Sequence, residues 1–185
     1  MEHRTAALLF ERGRAALREK RLKYARQLFR NALKACGPDD RQPLRAAIHI
    51  EIGRVARDLG DNESATSHYR TAAELYRGLD DRINLAHAIR HVADILRGMG
   101  RTEEAEPFIL EAIAIYRVQQ PLPELHLANA LRVAALLKDQ VQSDTDALPL
   151  WQEASELYRA VEVDAGVAES RAHLAATLGA QASQR

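Results

Sequence analysis

Two histidines and an aspartate are the clearest candidates for chemistry in this sequence. His87, His91 and Asp94 are separated by four and three residues, a spacing that places all three on one face of a helix. Imidazole and carboxylate groups are ligands for zinc and other divalent cations. The stretch lacks the glutamate of a His-Glu-x-x-His motif, and no second histidine or cysteine motif completes a ligand set. We therefore predict polar residues of a binding surface and no metal site, and keep a metal- or ligand-binding sensor or enzyme as an alternative.

The other reactive or glycine-rich features favour structural roles. Cys36 is the single cysteine, so it cannot form an internal disulfide, and a cytoplasmic location fits. It aligns with Tyr76 and Tyr116, each 40 residues further along the chain, and we predict a packed residue rather than a nucleophile. Gly98-Met99-Gly100 follows a helical pattern instead of a strand, unlike a phosphate-binding loop. We predict no catalytic residue and no cofactor.

The elements that must position these residues repeat about every forty residues. The repeat is marked by alanines separated by 40, 40 and 42 residues, namely Ala25, Ala65, Ala105 and Ala147. Each copy has a small residue before this alanine, then a large residue and a further alanine after it, as in Gly53, Ala65, Tyr69 and Ala72. Such a period is typical of a solenoid, whose units bury their apolar faces against their neighbours. This architecture disfavours a buried enzyme active site.

Each repeat is predicted to contain two helices. Apolar residues recur at every third and fourth position between Asp81 and Leu96. Gly98-Met99-Gly100 then interrupts the helix, because glycine tolerates a left-handed turn. We predict Thr102 as the N-cap of the next helix. The stretch Gly37-Pro38-Asp39-Asp40 predicts a turn between the first two repeats.

Composition limits the classes of partner. The 185 residues include 26 Lys+Arg and 26 Asp+Glu, so no overall field attracts nucleic acid or an anionic membrane. The chain lacks a run of about 18 apolar residues that could span a bilayer, and its N-terminus lacks the features of a signal peptide. We expect a soluble, cytoplasmic protein with neither a nucleic-acid nor a membrane partner.

The repeated pattern resembles that of tetratricopeptide repeat proteins. The resemblance implies an all-α, right-handed solenoid of about four helix-turn-helix repeats in a single domain over residues 1–181. The period is longer than the usual value of about 34 residues, and Glu104-Ala105-Glu106-Pro107 is similar to the long-repeat subclass found in kinesin light chains. The implied segments are repeats at 2–37, 42–79, 82–118 and 123–161, a capping helix at 165–180 and a flexible tail at 182–185.

In this family the first helices of the repeats line a concave groove that holds a peptide or another protein, which implies a non-catalytic scaffold or adaptor. The corresponding positions in this chain are Arg14, Arg54, Arg57, His87, Arg90, His91, Asp94, Arg97, Arg132, Lys138 and His173. The same transfer includes Arg18, Glu51, Asp58, Leu131, Asp139 and Glu169. The set is more basic than the whole chain, and arginine can donate two hydrogen bonds to one carboxylate. We therefore predict an acidic ligand; the alternative is that exposed helix faces are charged only for solubility.

Two further hypotheses concern the groove histidines and the ends of the array. A groove histidine would weaken binding above about pH 6.5, where it loses its charge. Leu8, Leu9 and Phe10 give the first helix more apolar surface than one packed face needs. This surplus predicts a homo-oligomer through the N-terminal helix, so a self-associating structural or regulatory module is an alternative function. The last helix is expected to cover the other end of the array.

Overall fold

The computed structural model describes residues 2–37 and 42–183, which are helical apart from short turns. The helices are α1 (Glu2–Arg18), α2 (Leu22–Ala35), α3 (Gln42–Asp58), α4 (Asn62–Gly78), α5 (Arg82–Gly98), α6 (Thr102–Arg117), α7 (Glu124–Gln140), α8 (Asp144–Ala160) and α9 (Asp164–Ser183). Within these ranges the nine helices pack as sequential pairs, which confirms the prediction of an all-α helical repeat array. None of the described helices is long and apolar enough to cross a lipid bilayer.

The helices form two compact units, Met1–Ile95 and Leu96–Arg185, hereafter the N-terminal unit and the C-terminal unit. The N-terminal unit contains the pairs α1–α2 and α3–α4 and most of α5. The C-terminal unit contains the end of α5, then α6, the pair α7–α8 and α9. The residues predicted to line one groove are therefore divided between two units.

Small residues allow the paired helices of the N-terminal unit to approach closely. A Cβ atom at Gly13 would lie 2.5 Å from the ring of Phe29, and one at Gly53 would lie 3.0 Å from the ring of Tyr69. Both rings are buried at these contacts. Cys36 is buried in the same core as Phe29, as expected for a packed residue. The small residue and the large residue of the repeat pattern are thus the two sides of each helix–helix contact.

The apolar surface of α1 is smaller than the sequence suggests. Leu9 and Phe10 pack against the core of the N-terminal unit, and the ring centroids of Phe10 and Phe29 are 5.8 Å apart. Leu8 is 60% exposed. The prediction of self-association was based on Leu8, Leu9 and Phe10, and of these three residues only Leu8 faces solvent.

The core of the C-terminal unit is built around Trp151. Its ring is fully buried beside Ala135 and Ala147, and its indole N–H donates to Asp139 Oδ2 at 3.0 Å. His173 of α9 stacks on this ring, with 4.2 Å between centroids. A Cβ atom at Gly166 would lie 2.5 Å from the ring of Tyr158, so the start of α9 also packs closely on α8.

The turn inside a repeat depends on one residue in the left-handed region. The backbone φ is positive at Lys20 (58°), Gly60 (80°), Gly100 (76°) and Gln142 (55°). The next amide donates to a carbonyl five positions earlier, for example from Asp61 to Ala56 at 2.9 Å, which closes the helix end. Glycine marks two of these four turns, so the glycine signal alone identifies half of them.

Segment boundaries differ from the predictions in two places. Thr102 is the first residue of α6, and Arg101 occupies the N-cap position without a side-chain hydrogen bond, so the predicted threonine cap is wrong. Helix α9 extends to Ser183 and includes residues 182 and 183 of the predicted tail. Residues 38–40 of the predicted turn after Gly37, and residues 184 and 185 of the tail, lie outside the described residues.

Candidate functional site

The first helices α1 and α3 line a cavity of about 190 Å³ that is open to solvent in the N-terminal unit, hereafter the arginine cavity. Its lining residues are Arg14, Leu17, Arg18, Glu51 and Arg54. The two arginines on α1 are four residues apart, and the charged pair on α3 is three residues apart, so the helical period brings each pair to one face. Three guanidinium groups and one carboxylate give the lining a net positive charge.

Glu51 lies between the arginines without being hydrogen-bonded to them. Its Oε1 is 3.9 Å from Arg14 Nε, and its Oε2 is 3.8 Å from Arg54 Nη1. The Glu51 side chain is only 15% exposed, and Oε2 accepts no hydrogen bond from any residue that the structure describes. Burial raises the pKa of Glu51 above its ordinary value, although the neighbouring arginines act in the opposite direction. The cavity therefore holds a carboxylate that is attracted by positive charge but poorly satisfied.

His91 of α5 forms a second cationic cluster in the same unit. Its ring stacks on Tyr69 with 4.8 Å between centroids. Its Nδ1 is 3.3 Å from Arg57 Nη1, and its Nε2 is 2.9 Å from Arg90 Nη2. A neutral imidazole carries one N–H and one acceptor nitrogen, so at most one of these contacts is a hydrogen bond. The Nε atom of Arg90 is buried without a hydrogen-bond partner among the described residues.

This environment determines the charge of His91. Burial, together with the positive charge of Arg90, holds the pKa of His91 far below its usual range, so the imidazole is neutral at physiological pH. His91 is therefore not a histidine that would lose its charge near pH 6.5. The pH hypothesis for the predicted groove does not apply to this residue.

The arrangement also disfavours the metal alternative. The rings of His87 and His91 are 4.6 Å apart and roughly perpendicular, but both nitrogens of His91 face guanidinium groups, which repel a cation. Asp94 is half-buried one turn further along α5. Over residues 2–37 and 42–183, no three histidine, cysteine, aspartate or glutamate side chains are arranged to hold a metal ion.

Two of the predicted basic residues of the C-terminal unit, Arg132 and Lys138, are paired with carboxylates. Arg132 donates two hydrogen bonds to Glu169, at 2.5 and 2.6 Å. Lys138 Nζ donates to Glu106 Oε1 at 2.6 Å. The hydrogen bond from Arg132 lowers the pKa of Glu169, and the charges of Arg132 and Arg97 lower it further. The charges that predicted an acidic ligand are therefore largely balanced within this unit.

Two further predicted positions of the C-terminal unit are His173 and Leu131. His173 Nδ1 is 2.9 Å from Asp139 Oδ2, so this histidine links α9 to the polar end of the Trp151 contact. Leu131 is fully buried and cannot contribute to a binding surface. The prediction placed Leu131 in the groove because it aligns with surface residues of the other repeats.

A histidine pair in the N-terminal unit was not predicted. The Nδ1 atoms of His49 on α3 and His68 on α4 are 2.9 Å apart, a distance at which one N–H is shared between two neutral rings. Burial, together with the smaller effects of His68 and Arg45, lowers the pKa of His49 to about 4. Burial and Arg30 lower the pKa of His68 as well. The two residues are 19 positions apart, and no spacing rule for a single helix connects them.

Comparison with known proteins agrees with this architecture. Residues 44–117 match the family model of the tetratricopeptide repeat, which confirms the prediction of tetratricopeptide repeats. A search of curated proteins by sequence gave no match.

Several solved structures share the fold. The structure of aspartyl phosphate phosphatase F from Bacillus subtilis has a TM-score of 0.86 and 14% identity, over 100% of this chain and 48% of that chain. A Rap protein complexed with Competence and Sporulation Factor has a TM-score of 0.75 and 14% identity, over 97% of this chain and 50% of that chain. YrrB, described as a TPR protein with an unusual peptide-binding site, has a TM-score of 0.65 and 17% identity, over 89% and 74% of the two chains. This chain spans about half the length of the first two, and at these identities the likeness concerns the fold alone.

Proposed function

We propose that this tetratricopeptide repeat protein is a non-catalytic binding module that holds an acidic peptide or protein segment at the arginine cavity of its N-terminal unit. The observation that carries the proposal is the lining of that cavity, in which Arg14, Arg18 and Arg54 surround one poorly satisfied carboxylate. An acidic side chain or a terminal carboxylate would be the complementary ligand.

The chemistry of arginine supports this choice of ligand. A guanidinium group offers donors in a planar fork that matches the two oxygens of a carboxylate. The ion pairs of Glu51 with Arg14 and Arg54 are too long for hydrogen bonds, so an entering carboxylate would gain short contacts that Glu51 does not make. Partial burial strengthens such contacts, because the local dielectric is lower than that of water.

Two of the similar structures support a binding function. One similar structure is a Rap protein complexed with Competence and Sporulation Factor, and another is described by its peptide-binding site. A third is an aspartyl phosphate phosphatase, of which this chain covers about half. Among the described residues that line the arginine cavity there is no serine, cysteine or histidine that could act as a nucleophile or base. We therefore propose peptide recognition for this chain and do not propose a catalysed reaction.

The test is the affinity for a labelled decapeptide rich in aspartate and glutamate, measured by fluorescence anisotropy. A peptide with asparagine and glutamine at the same positions serves as the neutral reference. Changing Arg14→Glu together with Arg54→Glu should weaken binding of the acidic peptide by at least about 30-fold, because both guanidinium partners of the ligand become repulsive. Circular dichroism checks that the variant remains folded.

The matched control changes Lys23→Glu and Lys34→Glu, two exposed lysines of α2 in the same unit. This variant has the same net charge as the arginine variant, so it should lose less than about threefold if the effect is local. Equal losses in the two variants would mean a diffuse charge effect and would overturn the proposal. Equal affinity of the wild type for the acidic and neutral peptides would also overturn it.

A further inference from the structure

The cationic cluster around His91 contains hydrogen-bond donors that have no acceptor. We define this cluster by Arg57 of α3, Tyr69 of α4, and Arg90 and His91 of α5, and call it the His91 cluster. Arg57 Nη1 and Arg90 Nη2 face the two nitrogens of the imidazole, at 3.3 and 2.9 Å. Since the neutral ring accepts at only one nitrogen, its other nitrogen carries an N–H that faces a guanidinium donor. That ring N–H and that guanidinium group therefore have no acceptor in this contact.

Arg90 is a half-buried cation without a carboxylate partner. Its side chain forms no ion pair with any residue that the structure describes, and its Nε is buried without a hydrogen-bond partner among them. Arg57 differs, because its Nε and Nη2 lie 3.4 and 3.2 Å from Asp58 Oδ1. A guanidinium group that has lost hydration without gaining a carboxylate favours an anion from outside the chain.

Tyr69 adds a hydroxyl group that is held in place by packing. The residue is 1% exposed, and its ring stacks on His91. Its hydroxyl makes no hydrogen bond to any of the described residues. Burial raises the pKa of Tyr69 to about 12, while the charges of Arg57 and Arg90 act in the opposite direction. The phenol is therefore protonated at neutral pH, and it lies in the field of both guanidinium groups.

The arrangement of these donors favours a phosphate group over a carboxylate. Both ring nitrogens of His91 are bonded to Cε1, so the guanidinium groups of Arg57 and Arg90 lie on either side of that edge of the imidazole. All three residues are partly exposed, so the cluster is open to solvent. A carboxylate offers two oxygens and one charge, whereas a phosphate group offers three oxygens and about −1.5 to −2 charges at pH 7. Donors contributed by three helices match the larger number of acceptors.

We infer that the His91 cluster binds a phosphate group, either free or carried by a peptide, and that Arg90 is its principal contact. Arg90 Nε and the Tyr69 hydroxyl donate to phosphate oxygens, and the guanidinium group that the imidazole does not accept from donates to another. The inference does not rest on the arginine cavity, whose proposed ligand is a carboxylate. Because Arg54 lines that cavity and its charge also acts on His91, the test leaves Arg54 unchanged.

The test uses a labelled decapeptide that contains one phosphoserine and no other charged residue, measured by fluorescence anisotropy. Peptides with serine or aspartate at the same position are the references. The wild type should bind the phosphoserine peptide at least about tenfold more tightly than either reference, because phosphate brings more charge and more acceptors. Inorganic phosphate is titrated separately by calorimetry. Binding of inorganic phosphate alone, with none of the three peptides bound, would identify the ligand as free phosphate.

Two variants of the protein locate the site. Arg90→Gln should weaken binding of the phosphate-bearing probe at least about tenfold, because a charge-assisted contact is lost. Tyr69→Phe keeps the ring in its packed position and should cost about threefold through the lost hydroxyl. The matched control is Arg18→Gln, which makes the same charge change in the arginine cavity and should cost less than about twofold. Circular dichroism checks that each variant is folded.

Three results would overturn the inference. The first is an aspartate peptide that binds as tightly as the phosphoserine peptide, since the site would then recognise negative charge and not phosphate. The second is a loss in Arg18→Gln that equals the loss in Arg90→Gln, or no loss in Arg90→Gln and Tyr69→Phe. The third is that the wild type binds neither the phosphoserine peptide nor inorganic phosphate up to millimolar concentration.

Discussion

The arginine cavity of the N-terminal unit and the Arg132–Glu169 pair of the C-terminal unit use similar residues with opposite results. In the cavity, the two oxygens of Glu51 are 3.8 and 3.9 Å from the nearest guanidinium atoms. In the C-terminal unit, the two oxygens of Glu169 are 2.5 and 2.6 Å from Arg132. The pKa of Glu51 is raised by burial, and that of Glu169 is lowered by the hydrogen bond from Arg132.

This contrast separates a carboxylate that is fully paired within the fold from one that is only loosely paired. A carboxylate with two short, charge-assisted hydrogen bonds has little to gain from leaving its partner. A buried carboxylate that has only long-range attraction has lost its hydration without gaining hydrogen bonds in return. A count of arginines on the first helices cannot distinguish these cases, because the difference lies in where each partner carboxylate is placed.

Acidification should produce the largest difference between the two units. The pKa values of His49, His68 and His91 are lowered in the N-terminal unit. As the pH falls, these histidines therefore become protonated at a higher pH in the unfolded chain than in the folded chain. Stability is therefore complete above about pH 6.5 and falls as the pH decreases toward 4. We expect a loss on the order of 1 kcal/mol for each histidine at pH 5, after allowance for partial exposure.

Hydrogen exchange at pH 7 and pH 5, corrected for the intrinsic rate, measures this effect separately in each unit. Amides of α3 and α4 should lose protection. Those of α7 and α8 should change little, because the pKa of Glu169 is lowered from its ordinary value of 4.5 and its carboxylate stays ionised at pH 5. Glu51 acts weakly in the opposite direction, since protonation relieves its burial. A variant with His49→Asn and His68→Asn isolates the histidine pair, and equal losses in both units would contradict the prediction.

Much of the fold could be predicted because it depends on a local pattern repeated several times. The small and large residues at Gly13 and Phe29, and again at Gly53 and Tyr69, form the contacts that the pattern implies. The turns were harder to predict, because Lys20 and Gln142 adopt the left-handed conformation without glycine. The cap at α6 was missed because Arg101, which has no capping preference, occupies that position.

The site was predicted only in part, because a pattern within one helix cannot show how side chains pair between helices. The transfer from the repeat family identified Arg14, Arg54 and Glu51, which the structure brings to one cavity. It could not show that Arg132 is hydrogen-bonded to Glu169, which is 37 residues away in the sequence. Nor could it show that His49 meets His68, since that contact depends on how α3 packs against α4.

The second prediction concerns the C-terminal unit, whose cations should bind an acidic ligand once their carboxylate partners are removed. In a chain that already carries Arg14→Glu and Arg54→Glu, the changes Glu106→Gln and Glu169→Gln remove the ionic partners of Lys138 and Arg132. Affinity for the acidic decapeptide should rise about tenfold over that background, because two cations lose their internal carboxylates. Fluorescence anisotropy measures the gain.

The control for this gain neutralises two other paired carboxylates, through Glu104→Gln and Glu153→Gln. These residues pair with Arg101 and Arg117 and give the same change in net charge. If the control gains as much affinity as the test variant, the effect is one of overall charge, and the distinction between the two regions fails. Thermal unfolding should also show that loss of the Glu169 pair costs about 1 kcal/mol, since both partners are about one-third exposed.

The smallest effect should follow from Glu51→Gln, which tests the role of the Glu51 carboxylate inside the arginine cavity. If Glu51 competes with a ligand carboxylate for Arg14 and Arg54, its neutralisation should raise affinity for the acidic decapeptide about threefold, which corresponds to less than 1 kcal/mol. The dependence of affinity on pH in the acidic range should be reduced in this variant, because burial raises the pKa of Glu51 and the variant lacks this titrating group. A loss of affinity would instead mean that the Glu51 carboxylate positions the arginines for the ligand. Stability at neutral pH should not fall, because a carboxylate whose pKa is raised in the folded state destabilises that state when it is ionised.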